Sequence, residues 1–176
     1  WSVAAVPQAN SVWRGFDIAY EQTSARAMVV YSRGVTVQEV GYRIWDGTTW
    51  TGEITAEMPT SGVVRWLRFD PQRGTDRAML ATLDANADIA AVPWDGATGW
   101  SAVVGASTTL TLTASIATEE CLDIAWEGVS VSSAHVLYGS GNNILDSVWN
   151  GSVWSAAVTA AGIGTVFLDK TGTLTV

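Results

Sequence analysis

The sequence predicts an all-β repeat protein, and three observations carry that prediction. The composition suits strands and turns, a Trp-Asp-Gly motif returns about every fifty residues, and short alternating runs are cut by Gly, Asp, Asn and Ser. Of the 176 residues, 48% are apolar and 15% charged. That balance excludes extensive disorder and leaves enough chain for one domain with a sizeable core. Gly, Thr, Ser and Val are abundant and Lys occurs once, a mix that favours strands over helices. Ten Trp residues are more than a core of this size needs.

The repeat is marked three times in register. Trp45-Asp46-Gly47-Thr48-Thr49-Trp50 returns as Trp94-Asp95-Gly96-Ala97-Thr98-Gly99-Trp100 and as Trp149-Asn150-Gly151-Ser152-Val153-Trp154. Trp1-Ser2-Val3 matches Trp154-Ser155-Ala156, which sets the closing Trp residues at 1, 50, 100 and 154. A second marker, Phe16-Asp17-Ile18-Ala19-Tyr20-Glu21, matches Leu122-Asp123-Ile124-Ala125-Trp126-Glu127, with a weaker copy at Phe69-Asp70-Pro71. A third runs Arg26-Ala27-Met28-Val29-Val30-Tyr31, Arg77-Ala78-Met79-Leu80 and Ala134-His135-Val136-Leu137-Tyr138. Self-similarity at a fixed period is the signature of a repeat architecture.

Each repeat reads as four strands. The Thr/Ala/Val stretch after a closing Trp, clearest in Thr109-Leu110-Thr111-Leu112-Thr113, reads as the first. Phe-Asp-Ile-Ala-Tyr is the second, Ala-Met-Val-Val-Tyr the third, and Val40-Gly41-Tyr42-Arg43-Ile44-Trp45 the fourth. Four antiparallel strands per fifty residues describe a β-propeller blade. The predicted organisation is one repeat domain over 1–176, with full repeats at 1–50, 51–100 and 101–154 and a partial fourth at 155–176. A closed propeller needs at least four blades, so the chain is expected to be part of a larger protein or to associate with further copies. The opening Trp1 in place of Met fits a processed product or a fragment.

The Trp-Asp-Gly-x-x-Trp ending after a Tyr-Arg-Ile strand resembles the blades of bacterial and fungal propeller lectins. That resemblance covers the whole chain at repeat level and implies sugar binding between blades. Sialidase-type propellers share an Asp/Gly turn closed by an aromatic, but their spacing differs and their Ser or Thr two places before Asp is absent.

Charge and cysteine usage narrow the partners. A net charge of −8, with eight Arg scattered along the chain, gives no basic face for nucleic acid or an anionic membrane. The uncharged stretches 96–118 and 151–168 are broken by Gly, Ser and Thr, so no membrane insertion is expected. Cys121 stands alone, which excludes an intrachain disulfide and a cysteine metal site. It reads as a small buried hydrophobe.

The candidate ligand-binding residues are Trp50, Trp100 and Trp154 with the turn residues Asp46, Asp95 and Asn150. An indole plane beside carboxylate or amide acceptors suits a polyol. The same residues also have structural work: Gly permits positive φ, Asp and Asn accept backbone N–H groups in turns, and Trp packs between blades. Asp17, Asp70 and Asp123, spaced by 53 residues, read as strand- or turn-fixing. Carboxylate pairs such as Asp17 with Glu21 or Asp123 with Glu127 recur symmetrically, whereas acid–base catalysis needs two different environments. His135, alone in an apolar strand, reads as a tolerated strand position. No catalytic residue, metal or cofactor is expected.

The segment Asp169-Lys170-Thr171-Gly172-Thr173-Leu174-Thr175 is identical to the phosphorylation motif of P-type ATPases. That chemistry needs downstream Mg²⁺ ligands and a nucleotide domain, and the sequence stops at Val176. Thr165–Leu168 and Thr173–Val176 instead read as two strands of a hairpin, and the match as coincidence.

These readings together predict a non-catalytic extracellular or cell-surface binding module, with a glycan or a protein surface as partner. A structural repeat segment of a large surface protein or filament, self-associating through strand edges, is the alternative. A propeller glycosidase is the lesser one.

Overall fold

The computed structural model describes residues 13–34, 38–100, 108–128, 133–161, 167–168 and 174–175. Their β-branched, aromatic and Ala-rich runs pair as antiparallel strands, each ended by Gly, Asp, Asn or Ser at a turn. The first sheet is β1 (Phe16–Tyr20), β2 (Ala27–Ser32), β3 (Glu39–Trp45) and β4 (Ile54–Glu57), hydrogen-bonded in that order. The second is β5 (Val64–Pro71), β6 (Arg77–Asp84) and β7 (Ile89–Asp95), with β8 (Gly99–Trp100) and β9 (Thr108–Thr111) both paired to β7. The third is β10 (Leu122–Trp126), β11 (Ala134–Ser140), β12 (Asn143–Trp149) and β13 (Val158–Ala161).

The sheets meet face to face, with β1 against β5 and β5 against β10. First strands inward and last strands outward is the arrangement of propeller blades. Two apolar layers fill the spaces between them. Met28, Val30 and Tyr42 of the first sheet pack with Leu67, Leu80 and Trp94 of the second. Met79, Ala81 and Ile89 of the second pack with Ile124, Val136 and Trp149 of the third. The middle sheet is apolar on both faces, and β6 shows how: Ala78 and Leu80 point to one layer, Met79, Ala81 and Leu83 to the other. Each fully buried side chain of this size contributes about 1.5–3 kcal/mol relative to exposure.

The phase within the repeat differs from the predicted one. The strand after a closing Trp is the last of its own sheet, not the first of the next: β4 pairs with β3, β9 with β7 and β13 with β12. The Trp hairpin turns the chain back along the strand it has just left, so the shortest connection keeps it in that sheet. Of the alternating run at 109–113, β9 takes residues up to Thr111 and Thr113 N–H then turns onto Thr111 Oγ1.

The weaker copy of the second marker also shifts. Ala27, Ala78 and Ala134 are equivalent, since each pairs with the Trp that opens the Trp-Asp/Asn-Gly turn. Counting from them, the place of Asp17 and Asp123 belongs to Arg68, not Asp70. The equivalent alanines lie 51 and then 56 residues apart, so an even count of 53 along the chain lands two residues past Arg68. At the C-terminal end β14 (Phe167–Leu168) pairs antiparallel with β15 (Leu174–Thr175), as the hairpin reading requires. Residues 169–173 lie outside the described residues, as do Trp1-Ser2-Val3.

Candidate functional site: tryptophan turns and the blade junction

Each repeat ends in a pair of indoles across a tight turn. Trp45 and Trp50 are bridged, with ring centroids 5.6 Å apart. Trp94 and Trp100 pair at 5.0 Å, and Trp149 and Trp154 at 5.5 Å. In the first turn Asp46 Oδ1 accepts the N–H groups of Thr48 and Thr49, each at 2.8 Å, and the Thr48 hydroxyl at 2.7 Å. These donors hold the Asp46 carboxyl far below the ordinary carboxylate range. Asn150 Oδ1 repeats the pattern with Ser152 and Val153 N–H at 2.9 Å. In both turns the next Gly has positive φ, 102° at Gly47 and 96° at Gly151.

The second turn has one residue more and solves the same problem differently. Positive φ moves to Gly99, at 88°, and Gly96 is required for space instead. A Cβ on Gly96 would lie 2.7 Å from Asp76 Cβ and 2.8 Å from Glu21 Oε1. Asp95 accepts Ala97 N–H at 2.9 Å and pairs with Arg77, and the two hold its carboxyl below the ordinary range. The predicted acceptors Asp46, Asp95 and Asn150 are thus engaged by their own turns.

The predicted indoles stand at blade junctions. Trp100 packs edge-on against Tyr42 of the first sheet at 5.6 Å and tilted against Phe69 at 5.8 Å, half-buried. Trp154 packs at the layer between the second and third sheets. Trp45 and Trp50 occupy the equivalent place on the first sheet's outward face.

Glu21, Arg26 and Trp94 form a polar latch at the first junction. Buried Glu21 accepts the Arg26 guanidinium through both oxygens, the Ser24 hydroxyl at 2.7 Å and Trp94 Nε1 at 2.7 Å. Arg26 Nη2 also donates to Gly96 O at 3.0 Å. The Glu21 bond raises the guanidinium's pKa. Asp76 completes the junction by accepting Thr23 and Ser24 N–H. The sequence signal for this latch was present, since Glu21 and Arg26 belong to the second and third repeat markers.

The remaining singled-out residues are fixing groups. Asp17 Oδ1 accepts Ile18 N–H and Oδ2 accepts Phe69 N–H across the junction at 3.1 Å. Burial raises the Asp70 pKa, with Asp123 and Asp17 adding to it. His135 is more than a tolerated strand position: Nδ1 faces Asp146 at 2.9 Å and Nε2 faces Glu127 at 3.0 Å. Half-buried Cys121 packs against the second layer, and burial pushes its thiol pKa up. Among the described residues no three His, Cys, Asp or Glu side chains converge as a metal shell. No helix among them is long and apolar enough to cross a membrane.

No protein-family model and no curated protein matches this sequence. Solved structures do match its fold. A mutant of the Aleuria aurantia lectin in complex with α-methyl-L-fucoside superposes with a TM-score of 0.52 at 19% identity. It covers 80% of this chain and 42% of its own. The same mutant with Fucα1-6GlcNAc gives a TM-score of 0.50 at 19% identity over the same shares. The chain therefore spans less than half the length of the lectin it matches, and what the two share is the all-β propeller fold.

Proposed function

We propose that this chain is a non-catalytic, lectin-like module that binds glycans at the rims of its blade junctions. The observation that carries the proposal is the arrangement at the first junction. Half-buried Trp100 meets Trp94 edge-on, Trp94 Nε1 reaches Glu21, and Glu21 fixes the Arg26 guanidinium beside the turn. An indole face takes the C–H side of a sugar ring, and a preorganised guanidinium donates to its hydroxyls at little entropic cost. The lectin that shares this fold was solved with fucosides, which makes α-methyl-L-fucoside the first ligand to try. Such a module works where glycans are displayed, outside the cell or on its surface.

The test is a glycan array probed with the labelled chain. Binding to a restricted set of glycans, competed by a free monosaccharide, is expected. Arg26→Lys, which keeps the charge but loses the planar fork, weakens that binding about tenfold with far-UV circular dichroism unchanged. A folded chain that is silent across the array overturns the proposal. A panel of chromogenic glycosides is expected to show no turnover, and cleavage of any would favour the glycosidase reading.

A further inference from the structure

We infer, resting on the glycan reading above, that one residue decides which blade junction takes the ligand. The junction of the first and second sheets binds through Glu21, and that of the second and third, with Gln72 in the same place, is closed to it.

The loops that follow β1 and β5 are one device with one decisive change. Glu21 N–H bonds Arg26 O and Gln72 N–H bonds Arg77 O, both at 2.8 Å. Ser24 Oγ donates to Glu21 Oε2, and Thr75 Oγ1 donates to Gln72 Oε1. The same two hydroxyls accept the N–H groups of Arg26 and Arg77. Glu21 and Gln72 are both buried, and each junction has its buried indole, Trp94 in the first and Trp149 in the second.

What differs is the acceptor. A carboxylate accepts at two oxygens and carries a charge, whereas an amide accepts at one and carries none. Glu21 takes Nε and Nη2 of Arg26 together with Trp94 Nε1. Gly96 O holds Nη2 from the next sheet as well, so the guanidinium is locked at the junction. Its Nη1 N–H groups have no partner among the described residues and are the donors that ring hydroxyls need.

Gln72 offers neither the second oxygen nor the charge. Arg77 Nε goes instead to Asp95 Oδ2, on its own sheet, at 3.2 Å. Asp46, in the place of Asp95, is occupied by Thr48 and Thr49 of its turn, which leaves Arg26 to Glu21. The second junction thus has an indole pair, Trp149 with Trp154, while its arginine is held against the second sheet.

The indole N–H resonances of the isotope-labelled whole chain, each assigned by a Trp→Phe substitution, read the two junctions separately. The probe is α-methyl-L-fucoside, or the free monosaccharide that competes on the array. Trp94 and Trp100 are expected to shift on titration while Trp149 and Trp154 stay in place. Glu21→Gln weakens the titration about tenfold, with far-UV circular dichroism unchanged. Gln72→Glu combined with Asp95→Asn supplies the carboxylate and releases Arg77, and Trp149 and Trp154 then shift as well. Shifts at both junctions in the unaltered chain overturn the inference and leave glycan binding standing, as does a rebuilt second junction that stays silent in a folded protein. A chain in which no indole shifts with any glycan overturns the glycan reading and this inference with it.

Discussion

Glu21 shows what a single residue does at a blade junction. Its carboxylate is out of water and answers donors from its own loop and from the next sheet. Removing one partner of such a cluster leaves the others buried and uncompensated. Glu21→Ala is therefore expected to cost about 3 kcal/mol in urea unfolding, whereas Ser24→Ala, which removes one exposed-rim donor, costs about 1 kcal/mol. Equal losses from the two would show that the latch is not a unit. His135 makes a different prediction because its partners favour the charged ring. The bonds to Glu127 and Asp146 raise its folded-state pKa above the ordinary value. Its stabilisation is complete below the unfolded pKa of about 6.5 and is lost as pH rises through the raised folded value. The urea midpoint should fall as pH rises above about 6.5 on this account, and His135→Gln should flatten that fall. A profile identical in the variant would assign the slope to other groups.

At the scale of elements, two turns that read alike have different physics. Gly47 and Gly96 both follow a Trp-Asp pair. Gly47 has open space around its Cα and positive φ, so Gly47→Ala costs about 1 kcal/mol of backbone strain. Gly96 has no such φ, but an added Cβ meets Asp76 and the Glu21 carboxylate, so Gly96→Ala costs about 1–3 kcal/mol by overpacking the latch. Thermal melts of both, with Gly99→Ala as the positive-φ control for the second turn, separate the two causes. If Gly96→Ala behaved like Gly47→Ala, the latch geometry would be wrong. The one-residue insertion in that turn was visible in the sequence, yet its consequence was not, because Glu21 and Asp76 approach it from distant parts of the chain. Strand identity was legible for a plainer reason: β2, β3, β11 and β12 are short runs rich in β-branched and aromatic residues, bounded by turn-forming residues. The phase of the repeat was not legible, because period-2 alternation says which way a side chain points and nothing about which sheet its strand joins. Arg68 escaped for a related reason, since only cross-strand pairing, not distance along the chain, defines equivalent places. Of the candidate site, the indole pairs were legible and the latch was present in the markers without a partner to explain it.

The whole molecule has a direction. The second and third sheets each pack on the sheet before them, and the middle sheet, apolar on both faces, is the only one of the three with both faces occupied among the described residues. The two outer faces are not alike: one is aromatic with Arg43, the other carries Asp123, Glu127 and Asp146 around His135. Such asymmetry makes order along the stack a property of surface chemistry as well as of chain connection.

Among the described residues each of the three blade sheets is made from one continuous stretch of chain, with no strand lent to a neighbour. Parting two of these blades breaks no strand ladder among the described residues. Their seams are held by side chains and by loop contacts such as Gln22 N–H on Thr75 O at 2.9 Å, so two blades can part by exposing apolar faces while every sheet stays paired.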